Sequence, residues 1–105
     1  MIQNLFHNIP PDLPEELFEV ICRAPGLRVE RILSRGHASP PDFWYDQEEN
    51  ELVFLLQGQT VLQVEGEASP RTLRPGDYLN LPAHCKHRVN WTDPHTTTVW
   101  LAVFY

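Results

Sequence analysis

The chain has 105 residues and a formal net charge of −6, and 42% of its residues are hydrophobic. This length fits a single domain, and the apolar content is typical of a globular protein, which excludes a disordered chain. The acidic charge, without any cluster of Lys or Arg, argues against a nucleic-acid partner because phosphate backbones attract positive charge.

The N-terminal residues carry no recognisable targeting signal. Residues 1–12 lack the charged and apolar regions of a signal peptide, and no stretch is long and apolar enough to cross a bilayer. Cys22 and Cys85 lie far apart in no disulfide or zinc pattern, which indicates reduced thiols. We therefore expect a cytoplasmic protein without a membrane partner.

One short helix is predicted, close to the N-terminus. Asp12 is a candidate helix cap, and Glu15 follows three residues later, as in a capping box. An apolar stripe of helical spacing comes next, at Leu13, Leu17, Val20 and Ile21. The Pro-Gly pair at 25–26 would end this helix. The sequence thus predicts a helical lead-in at residues 1–26 and a main domain at residues 27–105.

The main domain is predicted to be all-β. Its β-type runs lie at residues 27–33, 42–46, 51–57, 60–65, 71–73, 78–82, 88–92 and 96–105. Turn residues separate these runs at the spacing of a sandwich or barrel. The runs 51–57 and 96–105 are apolar on both faces, so both faces need a cover. One cover would be the barrel interior and the other a second sheet or a second copy of the chain, and we predict a homodimer.

Two spaced motifs carry further information. Glu51 begins an E-x6-G pattern, and PGDYLNLPAHCKHRV at residues 75–89 contains a G-x5-P-x4-H pattern that ends at His87. This ordered pair resembles the two motifs of the cupins, and the resemblance covers residues 27–105. It implies a double-stranded β-helix, which is a jelly-roll-like barrel. Cupins usually hold one metal ion with an H-x-H pair and a glutamate from the first motif and a histidine from the second.

The resemblance carries only part of that ligand set to this chain. Glu51 and His87 match the glutamate and the second-motif histidine, but the H-x-H pair is absent. The two histidine positions of that pair can be found by counting back from Glu51. They fall on Trp44 and Asp46 if four residues separate the pair from the glutamate, or on Tyr45 and Gln47 if three do. Residues two apart in a strand share a face. In the first alignment, the Asp46 register, Trp44 and Asp46 point inward; in the second, the Gln47 register, Tyr45 and Gln47 do.

Two ligand sets for a metal remain open. The Asp46 register gives two carboxylates and one imidazole, which would neutralise a divalent ion, whereas the Gln47 register gives a weaker site. We therefore predict Mn, Fe or Zn held by Asp46, Glu51 and His87, with Gln47 in place of Asp46 as the second choice. The alternative is a cupin without metal, with Asp46 solvated at the barrel mouth.

Five other residues are candidates for the site. His37, in the loop GHASPPD, would be a proton carrier or a further ligand, or a loop histidine bonded to backbone. His84, three residues before His87, would contact substrate or lie on the surface. The candidate walls of the substrate pocket are Trp44, Tyr45 and Trp91; the last has the strand parity of His87.

Two functions follow from the resemblance, and both take a small-molecule ligand. The first is a metal-dependent isomerase-like enzyme acting on a polar metabolite of the sugar-phosphate type, with His37 or His84 as proton carrier. The second is a non-catalytic binding or sensing protein, which the missing H-x-H pair favours. A dioxygenase is less consistent with the sequence, because ferrous dioxygenase cupins need more nitrogen ligands.

Overall fold

The structure is a computed structural model that describes all residues from 1 to 105. It contains eight β-strands and no helix, and every strand pairing is antiparallel. The strands are β1 (Leu17–Ala24), β2 (Leu27–Ser34), β3 (Glu51–Gln57), β4 (Thr60–Val64), β5 (Arg71–Leu73), β6 (Tyr78–Leu81), β7 (His87–Thr92) and β8 (Thr98–Phe104). No helix long and apolar enough to cross a membrane is present.

The strands form two sheets around one core. The larger sheet has the order β1-β2-β8-β3-β6, and the smaller has the order β5-β4-β7. Buried apolar side chains of both sheets meet in a single cluster, which includes Val53, Leu55, Trp100 and Phe104 from the larger sheet and Leu62, Val64, Leu73 and Val89 from the smaller. The predicted all-β antiparallel class is confirmed, as two sheets and not as one closed barrel.

The run at 42–46 is not a strand, although the other seven predicted runs each contain one. Pro40 and Pro41 precede Asp42, which has a φ of 64° and so turns the chain out of the extended conformation. Only Tyr45 makes ladder contact, as an isolated antiparallel bridge to His87. This single bridge carries the loop after β2 back to the second sheet.

The predicted N-terminal helix is wrong, because residues 17–24 form the edge strand β1. Its apolar residues are β-branched or aromatic at Phe18, Val20 and Ile21, which suits a strand. A bulge between Val20 and Cys22 interrupts the alternation, so the apolar spacing resembles that of a helix. Pro and Gly at 25–26 form the hairpin turn to β2, and Gly26 has the positive φ of 71° that a type II turn requires.

The segment before β1 is attached to the outer face of the larger sheet through Arg31. This side chain is 8% exposed, and it donates hydrogen bonds to the carbonyl oxygens of Leu5 at 3.0 Å, His7 at 2.6 Å and Asn8 at 3.3 Å. It also donates to the carboxylate of Glu19 at 2.7 Å. The backbone of residues 5–8 is therefore attached to the sheet, although most side chains of this segment are exposed.

Candidate functional site

A cavity of about 60 Å³ lies between the two sheets. Its lining consists of Glu16, Phe18, Ile32, Tyr45, Gln47, Glu51, Val53, Leu62, Leu81, His87, Val89, Trp100 and Phe104. Nine of these 13 residues are hydrophobic, and none is Lys or Arg. The cavity is partly open to solvent, so it suits a small ligand with an apolar body.

Glu51 and His87 face each other in this cavity. Each is the first residue of its strand, β3 and β7, and each points to the inner face. His87 Nε2 lies 3.5 Å from Glu51 Oε1, and their side chains are only 7% and 9% exposed. The other ring nitrogen, Nδ1, donates to the carbonyl oxygen of Cys85 at 3.0 Å, so the imidazole presents Nε2 to the cavity.

The charge of this pair depends on the pKa of His87. Burial lowers that pKa, but the contact with Glu51, the carbonyl of Cys85 and the negative charge of Glu51 together outweigh burial. The pKa of His87 is therefore raised above its ordinary value of 6.5. At a pH below the raised value the two side chains form an imidazolium–carboxylate pair in a largely apolar cavity.

Tyr45 is held directly beside His87. The two residues exchange both backbone hydrogen bonds, Tyr45 N to His87 O at 2.7 Å and His87 N to Tyr45 O at 3.1 Å. Their rings stack with centroids 5.3 Å apart and planes inclined by 20°. Burial raises the pKa of Tyr45, and the negative charges of Glu16 and Glu51 raise it further. The phenol therefore stays protonated and can act as a hydrogen-bond donor.

The loop before β3 turns Gln47 into the cavity and not Asp46. Tyr45 and Gln47 both line the cavity, whereas Asp46 accepts a 2.8 Å hydrogen bond from His84 Nδ1 with 43% of its side chain exposed. The preference for Asp46 as a ligand is therefore wrong. The backbone bridge between Tyr45 and His87 sets which alternate side chains point inward. Trp44 consequently points away, with its ring 6.0 Å from the Arg88 guanidinium.

Neither histidine that was a candidate proton carrier lines the cavity. His37 Nδ1 accepts a hydrogen bond from the backbone N–H of Arg35 at 2.9 Å, and its Nε2 donates to the carbonyl of Pro14 at 3.2 Å. This is the alternative in which a loop histidine bonds to backbone. His84 is 65% exposed at its side chain and bonds to Asp46 on the outside.

Trp91 also lies outside the cavity, so its predicted place as a pocket wall is wrong. A bulge breaks the pairing of β4 with β7: Val61 pairs with Trp91, and the next residue, Leu62, pairs with Val89. The extra residue in β7 reverses the side-chain alternation. Val89 therefore remains inside, whereas Trp91 is 40% exposed.

Glu16 and Phe18 are among the cavity residues that were not predicted from the sequence. Both belong to the region predicted as a helix. Ser34 donates a 2.6 Å hydrogen bond to Glu16 Oε2 and accepts one from Trp100 Nε1 at 3.2 Å. Both residues were missed because of the predicted helix. Had residues 17–24 been predicted as a strand, this region would have been placed at the wall of the cavity.

The residues around the cavity do not fit a resident divalent metal. No group of three or more His, Cys, Asp and Glu side chains converges anywhere in the chain. Glu51 and His87 are two strong donors, but protein metal sites normally use at least three. Glu16 also borders the cavity, but its carboxylate does not converge with these two donors. The Gln47 amide and the Tyr45 phenol are neutral and weak ligands. The predicted set of Asp46, Glu51 and His87 does not assemble.

Comparison with known proteins places this geometry in context. A family model described as "Cupin domain" matches residues 30–104. A solved structure from Ralstonia eutropha, named as a candidate mannose-6-phosphate isomerase, is 48% identical with a TM-score of 0.96, over 99% of this chain and 96% of that one. The comparison with curated protein sequences returned no match.

More distant structures share the fold. A cupin superfamily protein from Desulfitobacterium hafniense is 18% identical with a TM-score of 0.73, over 91% of this chain and 82% of that one. KdgF from a Halomonas species is 22% identical with a TM-score of 0.72, over 88% and 81% of the two chains. At these identities the likeness concerns the fold alone.

Proposed function

The chain belongs to the cupin family, and on that premise we propose that its cavity binds a small molecule with an apolar body and one polar end, without a resident metal. The observation that carries this proposal is the lining, which is apolar apart from Glu16, Gln47, Glu51 and His87. Apolar walls provide affinity, and a few polar groups fix the orientation of the ligand. The Glu51–His87 pair would receive the polar end.

The charge of the lining argues against a sugar phosphate. A phosphate dianion is usually bound by Arg, Lys or a cluster of backbone N–H groups, and no Lys or Arg lines this cavity. The carboxylates of Glu16 and Glu51 would repel such a group. The likeness to the Ralstonia structure therefore supports a related fold and a reaction of the isomerase type more than it supports a phosphorylated substrate.

Binding can be tested with 1-propanol and mannose 6-phosphate as probes. We expect 1-propanol at millimolar concentration to shift the methyl resonances of Val53 and Leu62 in NMR spectra, and mannose 6-phosphate to leave them unchanged. His87→Gln should weaken the binding of 1-propanol, whereas the matched exposed variant His84→Gln should not. Shifts with the sugar phosphate, or none with 1-propanol, would overturn the proposal.

The metal-free part of the proposal has its own measurement. Untagged protein incubated with Mn, Fe or Zn and then desalted should retain less than about a tenth of an equivalent, because two strong ligands hold a divalent ion poorly. Close to one equivalent, lost in both Glu51→Gln and His87→Gln, would restore the metal-dependent function expected from the family.

A second candidate function is an isomerase-like proton transfer, which the Glu51–His87 pair favours. Glu51 would take a proton from the carbon beside a bound carbonyl, and His87 Nε2 or the Tyr45 hydroxyl would give one to the carbonyl oxygen. The resulting enol would return to a carbonyl by the reverse transfers. Incubation of 2-butanone in D2O tests this, since catalysed deuterium uptake that Glu51→Gln abolishes is the expected result. Uptake at the uncatalysed rate would leave binding as the function.

We also propose that the chain forms a homodimer through the outer face of the larger sheet. Leu52, Phe54, Leu101 and Val103 point to this face and are only partly covered, and Tyr78 beside them is 68% exposed. Adjacent apolar side chains on one face are typical of a protein interface. A cytoplasmic location stays a prediction, with which the two free cysteines are consistent.

A further inference from the structure

Two carboxylates and no permanent cation border the cavity. Glu51 comes from β3 and Glu16 from the residue before β1. When protonated, His87 balances one of these charges and leaves the other. Arg28 lies over the ring of Phe104 at 4.2 Å, but its guanidinium already pairs with the carboxylates of Glu30 and Glu49. The cavity therefore keeps a net negative charge.

The carboxylate of Glu51 faces the cavity and pairs only with His87. Its side chain is about nine-tenths buried, and the nearest cationic group, His87 Nε2, is 3.5 Å away, at the outer limit for a hydrogen bond. A buried polar group in a native protein normally has a partner of good geometry. Since this carboxylate borders the cavity, a donor on a bound ligand would add a closer partner than His87.

Glu16 is held in place with one oxygen free. Ser34 donates to Oε2 at 2.6 Å, and Ser34 is itself fixed by the indole N–H of Trp100 at 3.2 Å. No hydrogen bond occupies Oε1. A carboxylate that is oriented before the ligand arrives loses little entropy on binding. The pKa of Tyr45, raised by burial and then by the charges of Glu16 and Glu51, is consistent with a negative potential inside the cavity.

We propose that the polar end of the ligand is a protonated amine, and that Glu16 is the residue that selects it. This inference rests on the proposed function, since it assigns a chemical class to the same ligand. The ammonium group would donate to Glu16 Oε1 and to Glu51, and the alkyl body would lie against the apolar walls. Glu16 precedes residues 30–104, the part matched by the family model, so this selectivity would come from the N-terminal segment.

The experiment uses three probes of similar size that differ in their polar ends: propylammonium, 1-propanol and propionate. Each is titrated into the full chain and followed through the methyl resonances of Val53 and Leu62. We expect propylammonium to bind about tenfold more tightly than 1-propanol, as a charge-assisted hydrogen bond predicts, and propionate to bind weakest.

Glu16→Gln should weaken propylammonium binding about tenfold and so remove that preference, because the amide carries no charge while its oxygen can still accept from Ser34. Glu15→Gln is the matched control: Glu15 is exposed, so it changes the net charge equally and should change neither affinity.

The outcomes separate the two proposals. If 1-propanol binds as tightly as propylammonium, the amine assignment is overturned while the proposed function stands. Equal losses of amine affinity in the Glu15 and Glu16 variants would overturn the role of Glu16. If no probe shifts the cavity resonances, the proposed function fails and the amine assignment fails with it.

Discussion

Replacement of Gly58 by Ala is expected to destabilise the fold strongly. Gly58 lies in the turn between β3 and β4 with a φ of +87°, where an L side chain is strained. A Cβ at this position would lie 2.7 Å from the backbone Cα of Thr98 and 3.0 Å from its Cβ. Thr98 is fully buried in β8, so neither atom can move aside easily.

The magnitude follows from these two contributions. The positive φ costs about 1–2 kcal/mol for a residue with a Cβ, and forced contact in a packed interior adds about 1–3 kcal/mol. Together they amount to roughly 3 kcal/mol, a large share of the about 5–15 kcal/mol that holds a domain folded. With a urea dependence of about 1–2 kcal/mol per molar for a small protein, the midpoint should fall by roughly 2 M.

Gly66→Ala is a matched control for this measurement. Gly66 has the same φ of +87°, but a Cβ added there would meet no atom within 4 Å. Gly66→Ala should therefore lose only the stability that the positive φ costs, about 1–2 kcal/mol. Urea unfolding followed by tryptophan fluorescence gives both free energies. If the two variants lose the same stability, contact with Thr98 is not what demands glycine in the E-x6-G motif.

The remaining predictions concern the N-terminal segment, assembly and pH. Arg31→Met should let thermolysin cut within residues 1–9 at least about tenfold faster, because a buried charged anchor is worth several kcal/mol, whereas exposed Arg35→Met should not. Phe54→Glu should convert a dimer to a monomer by light scattering, and a monomeric parent protein at micromolar concentration would contradict the dimer. The raised pKa of His87 contributes stability below about pH 6.5 that is lost as the pH rises through the folded-state pKa. The unfolding free energy should therefore fall less between about pH 5.5 and pH 8.5 in His87→Gln, and an equal fall in both proteins would refute this.

Most of the fold could be predicted from the sequence because strand alternation and turn residues are local signals. The seven correct runs are bounded by Gly, Pro or polar residues that end a strand wherever it occurs. The N-terminal strand could not be recognised in this way. Its apolar residues at Leu17, Val20 and Ile21 also fit a helix, and only pairing with β2 decides between the two structures.

The site could be predicted only where the motifs fix a residue at the start of a strand. Glu51 and His87 were identified and do meet in the cavity. The choice between Asp46 and Gln47 depended on the bridge between Tyr45 and His87, which joins residues 42 positions apart and leaves no local pattern. The predicted position of Trp91 was wrong for a similar reason. The alternation of residue types along β7 gives no local sign of its bulge.

The attachment of the N-terminal segment through Arg31 bears on how this region can change over evolution. Arg31 contacts carbonyl oxygens of Leu5, His7 and Asn8, and every amino acid carries a carbonyl oxygen. The side chains of Leu5 and His7 can therefore vary while the attachment is preserved, whereas the φ of 55° at Asn8 favours Asn or Gly there. Selection would instead act on the path of the backbone and on Arg31 itself, so Leu5 and His7 are suitable places for a spectroscopic label.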